Sequence, residues 1–407
     1  MRARTALAAP VAAVVLAALP ACQTRSPAAP AEAPTRPDGV VTWAASAARM
    51  DEEASERGHR LVVRTSVGGS DLRIRLTNAF GDRAVTFDGV HAGLRKEGAA
   101  LMPGSNRPLT FDGARSVTVP AGRTVLSDPL PGRLPAATDL VISFDTPEAT
   151  GPVSGHWMAM QTSYLGEVGH TAEEGAAAWT RTTGSWFYLD AVSVRAEPGT
   201  GAVVALGDSI TDGWQSTTDT NRRWPDYLAR RLKRADTDIK GVANAGISSN
   251  KVLTDGGGQS ALNRLDRDVL SQPGLRTVFL FEGVNDIKAA PGITAEDLID
   301  GYRRIAERAH AAGKCVVAAT VAPFKGWSEW SPAAEAVRQD VNAFIRDSGE
   351  FDAVTDFDRI LRSPYDPARI LPVFDGGDHL HPNDKGMQAM ADAVDLKSLD
   401  CAGPPSP

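Results

Sequence analysis

Two hydrophobic patterns divide the chain. In the first half apolar and polar residues alternate. "RLVVRTS" (60–66) and "DLRIRLTN" (71–78) put an apolar side chain at every second position, as strands with one buried face do. The "GGS" between them (68–70) predicts a hairpin. Further strands are expected in "AVTFDGVHAGL" (84–94), "SVTVP" (116–120), "DLVISFD" (139–145) and "WFYLDAVSVRA" (186–196). Proline and glycine punctuate them, as in "MPGSNRP" and "LPGRLP". Many short strands with frequent turns predict an antiparallel β-sandwich or jelly roll over residues 40–197, with a short helix expected within 44–57.

At "EPGTGA" (197–202) the period changes. "AVVAL" (202–206), "GVANAG" (241–246), "TVFLFEG" (277–283), "CVVAATVAP" (315–323) and "DAVTDF" (352–357) read as buried strands. Helical patterns lie between them. "RRWPDYLARRLKRA" (222–235) spaces Trp224, Leu228 and Leu232 four apart, and "SALNRLDRDVL" (260–270) is amphipathic. "TAEDLIDGYRRIAERAHAAG" (294–313) opens with Thr294 and Asp297 in a capping pattern. Helices at 332–347 and in "NDKGMQAMADAV" (383–394) complete the series. This alternation predicts an α/β domain over 198–400, a parallel sheet covered on both faces.

The N-terminus adds an address. Arg2 and Arg4 precede an apolar run, Ala6 to Leu19, which is short for a membrane span and ends in "LPAC". That ending resembles the lipobox of bacterial lipoproteins, so 1–22 is expected to be a signal peptide with Cys22 as the lipidated residue; cleavage as a plain secretory signal after Ala21 is the alternative. Either places the mature protein outside the cytoplasm, and a lipidated form hangs from the membrane by its anchor alone. Residues 23–39, rich in proline and alanine, read as an extended linker, and 401–407 as a tail. In an oxidising compartment Cys315 and Cys401 could form one disulfide; two unpaired cysteines is the other reading. The net charge of -7 without a dense basic stripe argues against nucleic acid as a partner.

Open parallel sheets bind ligands at the carboxyl ends of their strands. Here those ends carry "GDS" (207–209), "NAGISSN" (244–250) and "EGVND" (282–286), and "DGGDHLHPND" (375–384) precedes the last helix. Each alone fits a turn or a helix cap. Together they supply what a serine hydrolase needs: a hydroxyl at Ser209, a base at His381 and an acid at Asp378 to orient it. Donors for an oxyanion are the N–H groups of Ser209 and Gly246 and the side-chain amide of Asn285. Asp375 is the alternative acid, though the D-x-x-H spacing favours Asp378. His379 and His381 form an H-x-H near Asp375, Asp378 and Asp384, but no further histidine sits on a neighbouring strand end, so no metal and no cofactor is implied. Trp214, Trp327 and Trp330 follow strand ends and either stack on sugar rings or cap the core. His59, His91, His156, His170 and His310 read as packing or surface residues.

"GDSITDG", "NAG", "GVND" and "DHLHPN" match, in order, the four blocks of the SGNH (GDSL-type) hydrolases, and the resemblance spans about residues 200–397. It implies a flavodoxin-like three-layer αβα fold, a Ser-His-Asp triad at Ser209, His381 and Asp378, and a three-donor oxyanion hole at Ser209, Gly246 and Asn285. The first block reads GDSI where many members have GDSL, a conservative departure. The β region looks like the accessory sandwich of some carbohydrate-directed esterases of this family. The expectation is an extracytoplasmic carboxylic-ester hydrolase acting on a small acyl ester, such as an acetyl group on carbohydrate. A lipase or lysophospholipase is the runner-up, weakened by the lack of a long apolar lid segment. An acyltransferase using the same site and a glycan-binding lipoprotein without catalysis are the remaining alternatives.

Overall fold

The computed structural model describes residues 39–289 and 292–400. The leader with Cys22, the linker except Gly39, and the tail with Cys401 lie outside the described residues.

The N-terminal region is β-rich and antiparallel. One sheet runs Val40–Ala44, Leu189–Arg195, Gly69–Thr77, Leu130–Leu134. A second is built on Arg57–Arg64, Asp139–Thr146 and Val85–Glu97. Their alternating apolar residues converge on one core: Ile74, Leu76 and Val192 from the first sheet, Leu61, Phe87, Ile142 and Phe144 from the second. Phe87 meets Tyr188 at 5.0 Å and Phe144 at 5.6 Å, both edge-on, the geometry aromatic quadrupoles favour.

Three local expectations fail, each overridden by long-range pairing. Arg57–Arg64 and Gly69–Thr77 do not form a hairpin; the former pairs with Asp139–Thr146 and the latter with Leu189–Arg195. The "GGS" segment instead belongs to a crossing between sheets. Ser66 N–H donates to Thr42 O, and a Cβ on Gly68 would lie 2.7 Å from Leu134 O, so the chain slips past another strand rather than folding back. The helix expected within 44–57 is absent: residues 44–48 are buried on every side, and Ala48–Met50 pairs with the strand Val153–His156. "WFYLDAVSVRA" is two strands, Trp186–Phe187 and Leu189–Arg195, split at buried Tyr188, whose φ of 57° turns the chain from one sheet into another.

The C-terminal region holds a five-stranded parallel sheet in the spatial order Ile239–Gly246, Gly201–Gly207, Leu275–Phe281, Cys315–Ala319, Ala353–Thr355. Its strands are apolar on both sides because both faces are covered. Val203, Ala205, Phe279 and Phe281 pack on Trp224, Leu228 and Leu232 of the helix Trp224–Arg234 and on Met387 and Met390 of the helix Asp384–Ala393. Val204, Leu206, Val278 and Leu280 face Leu298, Tyr302 and Ile305 of the helix Ala295–Ala311. The chain starts with an inner strand, adds one neighbour, then crosses to the other side, which leaves a crevice at the carboxyl end of Gly201–Gly207.

The two regions share one apolar cluster. Val41 N–H donates to Pro273 O, Val242 N–H to Ser66 Oγ at 2.9 Å, and Arg264 Nη1 to Ser46 Oγ at 3.0 Å. A Cβ on Gly241 would lie 2.5 Å from Val41 O, so the backbones touch. Cys315, at the start of its strand, is disulfide-bonded. Because one apolar cluster runs through both regions, the protein is expected to unfold in one calorimetric transition with equal van't Hoff and calorimetric enthalpies; two separable transitions would contradict the shared core.

Candidate active site

The strand Gly201–Gly207 carries the first site residue to the crevice. Gly207 is needed there, since a Cβ would meet Phe281 O at 2.4 Å. Asp208 then caps a one-turn helix, Ser209–Asp212, by accepting the Ile210 N–H at 3.0 Å, and Gly213, at φ 106°, ends it. Burial pushes the Asp208 carboxyl up to about 6, against the pull of the Ile210 N–H and His381. Ser209 thus sits at the first position of a helix whose cap is sealed.

Ser209 Oγ lies 2.8 Å from His381 Nε2, and His381 Nδ1 lies 2.7 Å from Asp378 Oδ2. Asp378 also accepts the N–H groups of Leu380 at 3.0 Å and His381 at 2.9 Å. Burial opposes its charge, but the His381 ring and these two N–H groups hold its carboxyl well below the usual carboxylate range. An ionised Asp378 keeps the ring proton on Nδ1 and leaves Nε2 free to accept from Ser209. Asp375 does not reach His381: it takes His379, Nδ1 to Oδ2 at 2.6 Å, so the two histidines of H-x-H turn to separate carboxylates.

Asn285 is buried in the helix Val284–Ala289 and donates one Nδ2 hydrogen to Asn250 O at 2.9 Å, leaving the second. The Ser209 N–H has no partner among the described residues, as expected at a helix start. Gly246 departs from expectation. Its N–H donates to Asn244 Oδ1 at 2.9 Å and is not free. A Cβ at Gly246 would lie 2.3 Å from Asp212 N, so this glycine lets the serine's helix rest on the next strand. Of the following N–H groups, Ile247 donates to Gly207 O, Ser248 to Asp212 Oδ2 and Asn250 to Ile247 O. Ser249 N–H alone in 246–250 has no partner among the described residues, and Ser249 holds a φ of 63°. Sequence reasoning missed it because a serine gives no sign of a left-handed backbone.

Two of the three tryptophans flank the imidazole. Trp214 stands 6.4 Å from the His381 ring and is 44% exposed; Trp327 stands 5.9 Å away, edge-on, with its Nε1 donating to Glu329 Oε2 at 3.0 Å. Trp330 is not brought to the site. It packs against the apolar core with Lys325 Nζ 5.4 Å from its ring centre. His156, read as a bland residue, is buried with its Nε2 2.8 Å from Asp212 Oδ1. No local signal marks it, because its partner lies in the other half of the chain.

Residues 205–389 match the model of the GDSL-like lipase/acylhydrolase family. This stretch is a GDSL-like hydrolase domain. No curated protein matches the chain. Among solved structures similar to the GDSL-like half, a carbohydrate acetylesterase from Sinorhizobium meliloti shares 16% identity over 48% of this chain and 96% of its own, with a TM-score of 0.39. The aryl esterase of M. smegmatis shares 17% over 48% and 96%, with a TM-score of 0.40. A GDSL-like lipase from Bacteroides thetaiotaomicron shares 20% over 49% and 87%, with a TM-score of 0.39.

Gly246→Ala tests the close approach in this GDSL-like domain. The added methyl meets backbone, which cannot rotate away, so a loss of about 1–3 kcal/mol in urea denaturation is expected; wild-type stability would mean helix and strand are not in contact.

Proposed function

We propose that this protein is an extracytoplasmic serine carboxylic-ester hydrolase that removes small acyl groups, acetyl foremost, from carbohydrate. The observation that carries the reading is the unbroken chain from Ser209 Oγ through His381 to Asp378, at 2.8 and 2.7 Å, inside a stretch matching the GDSL-like family. Ser209 attacks the ester carbonyl as His381 Nε2 takes its proton, and Asp378 stabilises the imidazolium that forms. His381 returns the proton to the leaving alcohol, leaving an acyl-enzyme. It then activates the water that releases the acid.

The tetrahedral oxyanion needs donors already in place. Ser209 N–H and the free hydrogen of Asn285 Nδ2 supply two; the unpartnered Ser249 N–H, in place of Gly246, supplies the third. Trp214 and Trp327 beside the imidazole offer apolar faces suited to a sugar ring, and the β region acts as an accessory sandwich. Export is read from Arg2, Arg4 and the run to "LPAC", with lipidation at Cys22. Cys315 pairs with Cys401 in this reading: Thr277, the register neighbour of Cys315, donates to Leu399 O at 2.7 Å, and Arg276 holds Asp400 at 2.8 Å, which brings residue 400 to the start of that strand.

The purified protein is expected to hydrolyse p-nitrophenyl acetate and to release acetate from O-acetylated polysaccharide. Ser209→Ala should abolish both, and a phosphonate inhibitor should add its mass to the Ser209 peptide. A wild type inactive on every ester, or modified elsewhere, would sink the proposal. For Asn285→Ala, kcat is expected to fall about 10²–10³-fold with folding retained, as for the loss of one oxyanion donor; unchanged kcat would remove Asn285 from the hole.

A further inference from the structure

At His156 the β region touches the helix that carries Ser209. His156 ends the strand Val153–His156, packs 5.5 Å from the Trp186 ring and is buried. Its ring faces acceptors on both sides. Nδ1 lies 2.9 Å from Ser46 O; Nε2 lies 2.8 Å from Asp212 Oδ1 and 3.2 Å from Met158 O. Only the doubly protonated ring donates at both nitrogens. Burial disfavours that charge, but Asp212 and the two carbonyls outweigh it and raise the His156 pKa.

Asp212 is the far end of the one-turn helix that begins at Ser209, and its side chain is 4% exposed. Its second oxygen, Oδ2, accepts both the N–H and the Oγ–H of Ser248, each at 3.0 Å. Ser248 precedes Ser249, whose N–H is the unpartnered one in that turn. One carboxylate therefore joins the helix carrying the nucleophile to the turn carrying a donor, and a histidine from the other region joins that carboxylate.

We propose that His156 is a positioning residue for ester hydrolysis: acting through Asp212, it sets the turn at Ser248–Ser249 relative to Ser209 and so aligns the oxyanion donor with the nucleophile. The inference rests on the hydrolase reading above. A buried carboxylate that loses a hydrogen-bond donor turns toward another donor or toward water. In both cases the bonds it offers Ser248 weaken and the turn is released. Displacements of about 1 Å in such groups cost about 10²-fold in rate. The effect falls on the transition state, where the oxyanion forms, and little on ground-state binding.

The test uses the full chain and p-nitrophenyl acetate. For His156→Ala, kcat is expected to fall about 10- to 100-fold with KM changed less than about threefold. Affinity for a trifluoromethyl ketone analogue, which adds Ser209 and presents an oxyanion, should fall by the same factor as kcat/KM. His156→Gln, which restores one donor toward Asp212, should recover most of the loss. Ser248→Ala should reproduce part of it, and His156→Ala in an Asp212→Asn background should add little. If His156→Ala does not fold, His156→Gln and Ser248→Ala carry the test through the same kcat and inhibitor readouts. A folded variant with wild-type kcat and inhibitor affinity, or a loss that tracks the unfolded fraction alone, overturns the proposal while leaving the hydrolase reading intact. An inactive wild type fails the hydrolase reading itself.

Discussion

Arg264 is the interaction on which the site's architecture depends. It is fully buried, and its guanidinium is shared among several elements of the site. Nη2 donates to Gly207 O at 3.0 Å and Nη1 to Ala245 O at 2.6 Å, the carbonyls at the tips of two adjacent strands. Nε donates to Asn250 Oδ1 at 2.9 Å, in the turn that also receives Asn285. Nη1 reaches Ser46 in the β region as well. A rigid planar fork with five donors can satisfy such a set; a lysine, with three donors on one atom, cannot span it. Its buried acidic neighbours are Asp268 at 3.6 Å and Glu282 at 3.7 Å. Burial drives the Glu282 carboxyl well above the carboxylate range, with Arg264 pulling the other way.

Around this anchor the carboxylates diverge in character. Asp208, enclosed at the strand tip, is pushed up to about 6, whereas Asp378, receiving the His381 ring and two backbone N–H groups, is held well below the ordinary range. Both lie near His381, yet only the second hydrogen-bonds its ring. Deeper burial with a single backbone donor on Asp208, against the ring and two backbone donors on Asp378, separates the cap from the orienting acid. Asp286 has a third role: it accepts Val252 and Leu253 N–H at 2.8 and 3.1 Å and ties the third strand's loop to the second's.

The β region is built into this arrangement. Ser46 receives Arg264 on its hydroxyl and His156 on its carbonyl, and Ser66 exchanges hydrogen bonds with Val242. Fixed backbone contacts of this kind leave little room for one region to move against the other. An accessory region normally linked by a flexible hinge would need fewer of them.

Within the C-terminal half the chain's own pattern determined a great deal. Apolar runs of five to seven residues, helices opened by Thr294 and Asn383, and polar clusters at strand tips follow from local rules, and the structure brings Ser209, His381 and Asp378 together. What tertiary structure decided was pairing and backbone direction. The strands either side of "GGS" part because their partners lie about eighty and more than a hundred residues away. The N–H of Gly246 is used and that of Ser249 is left without a partner among the described residues, because a free N–H depends on which neighbours have been used and φ at a serine is set by the turn around it. His156 meets Asp212 across the two halves, a contact with no trace in either local sequence. Side-chain type and spacing are properties of the chain; the partner each buried polar group finds is a property of the packed molecule.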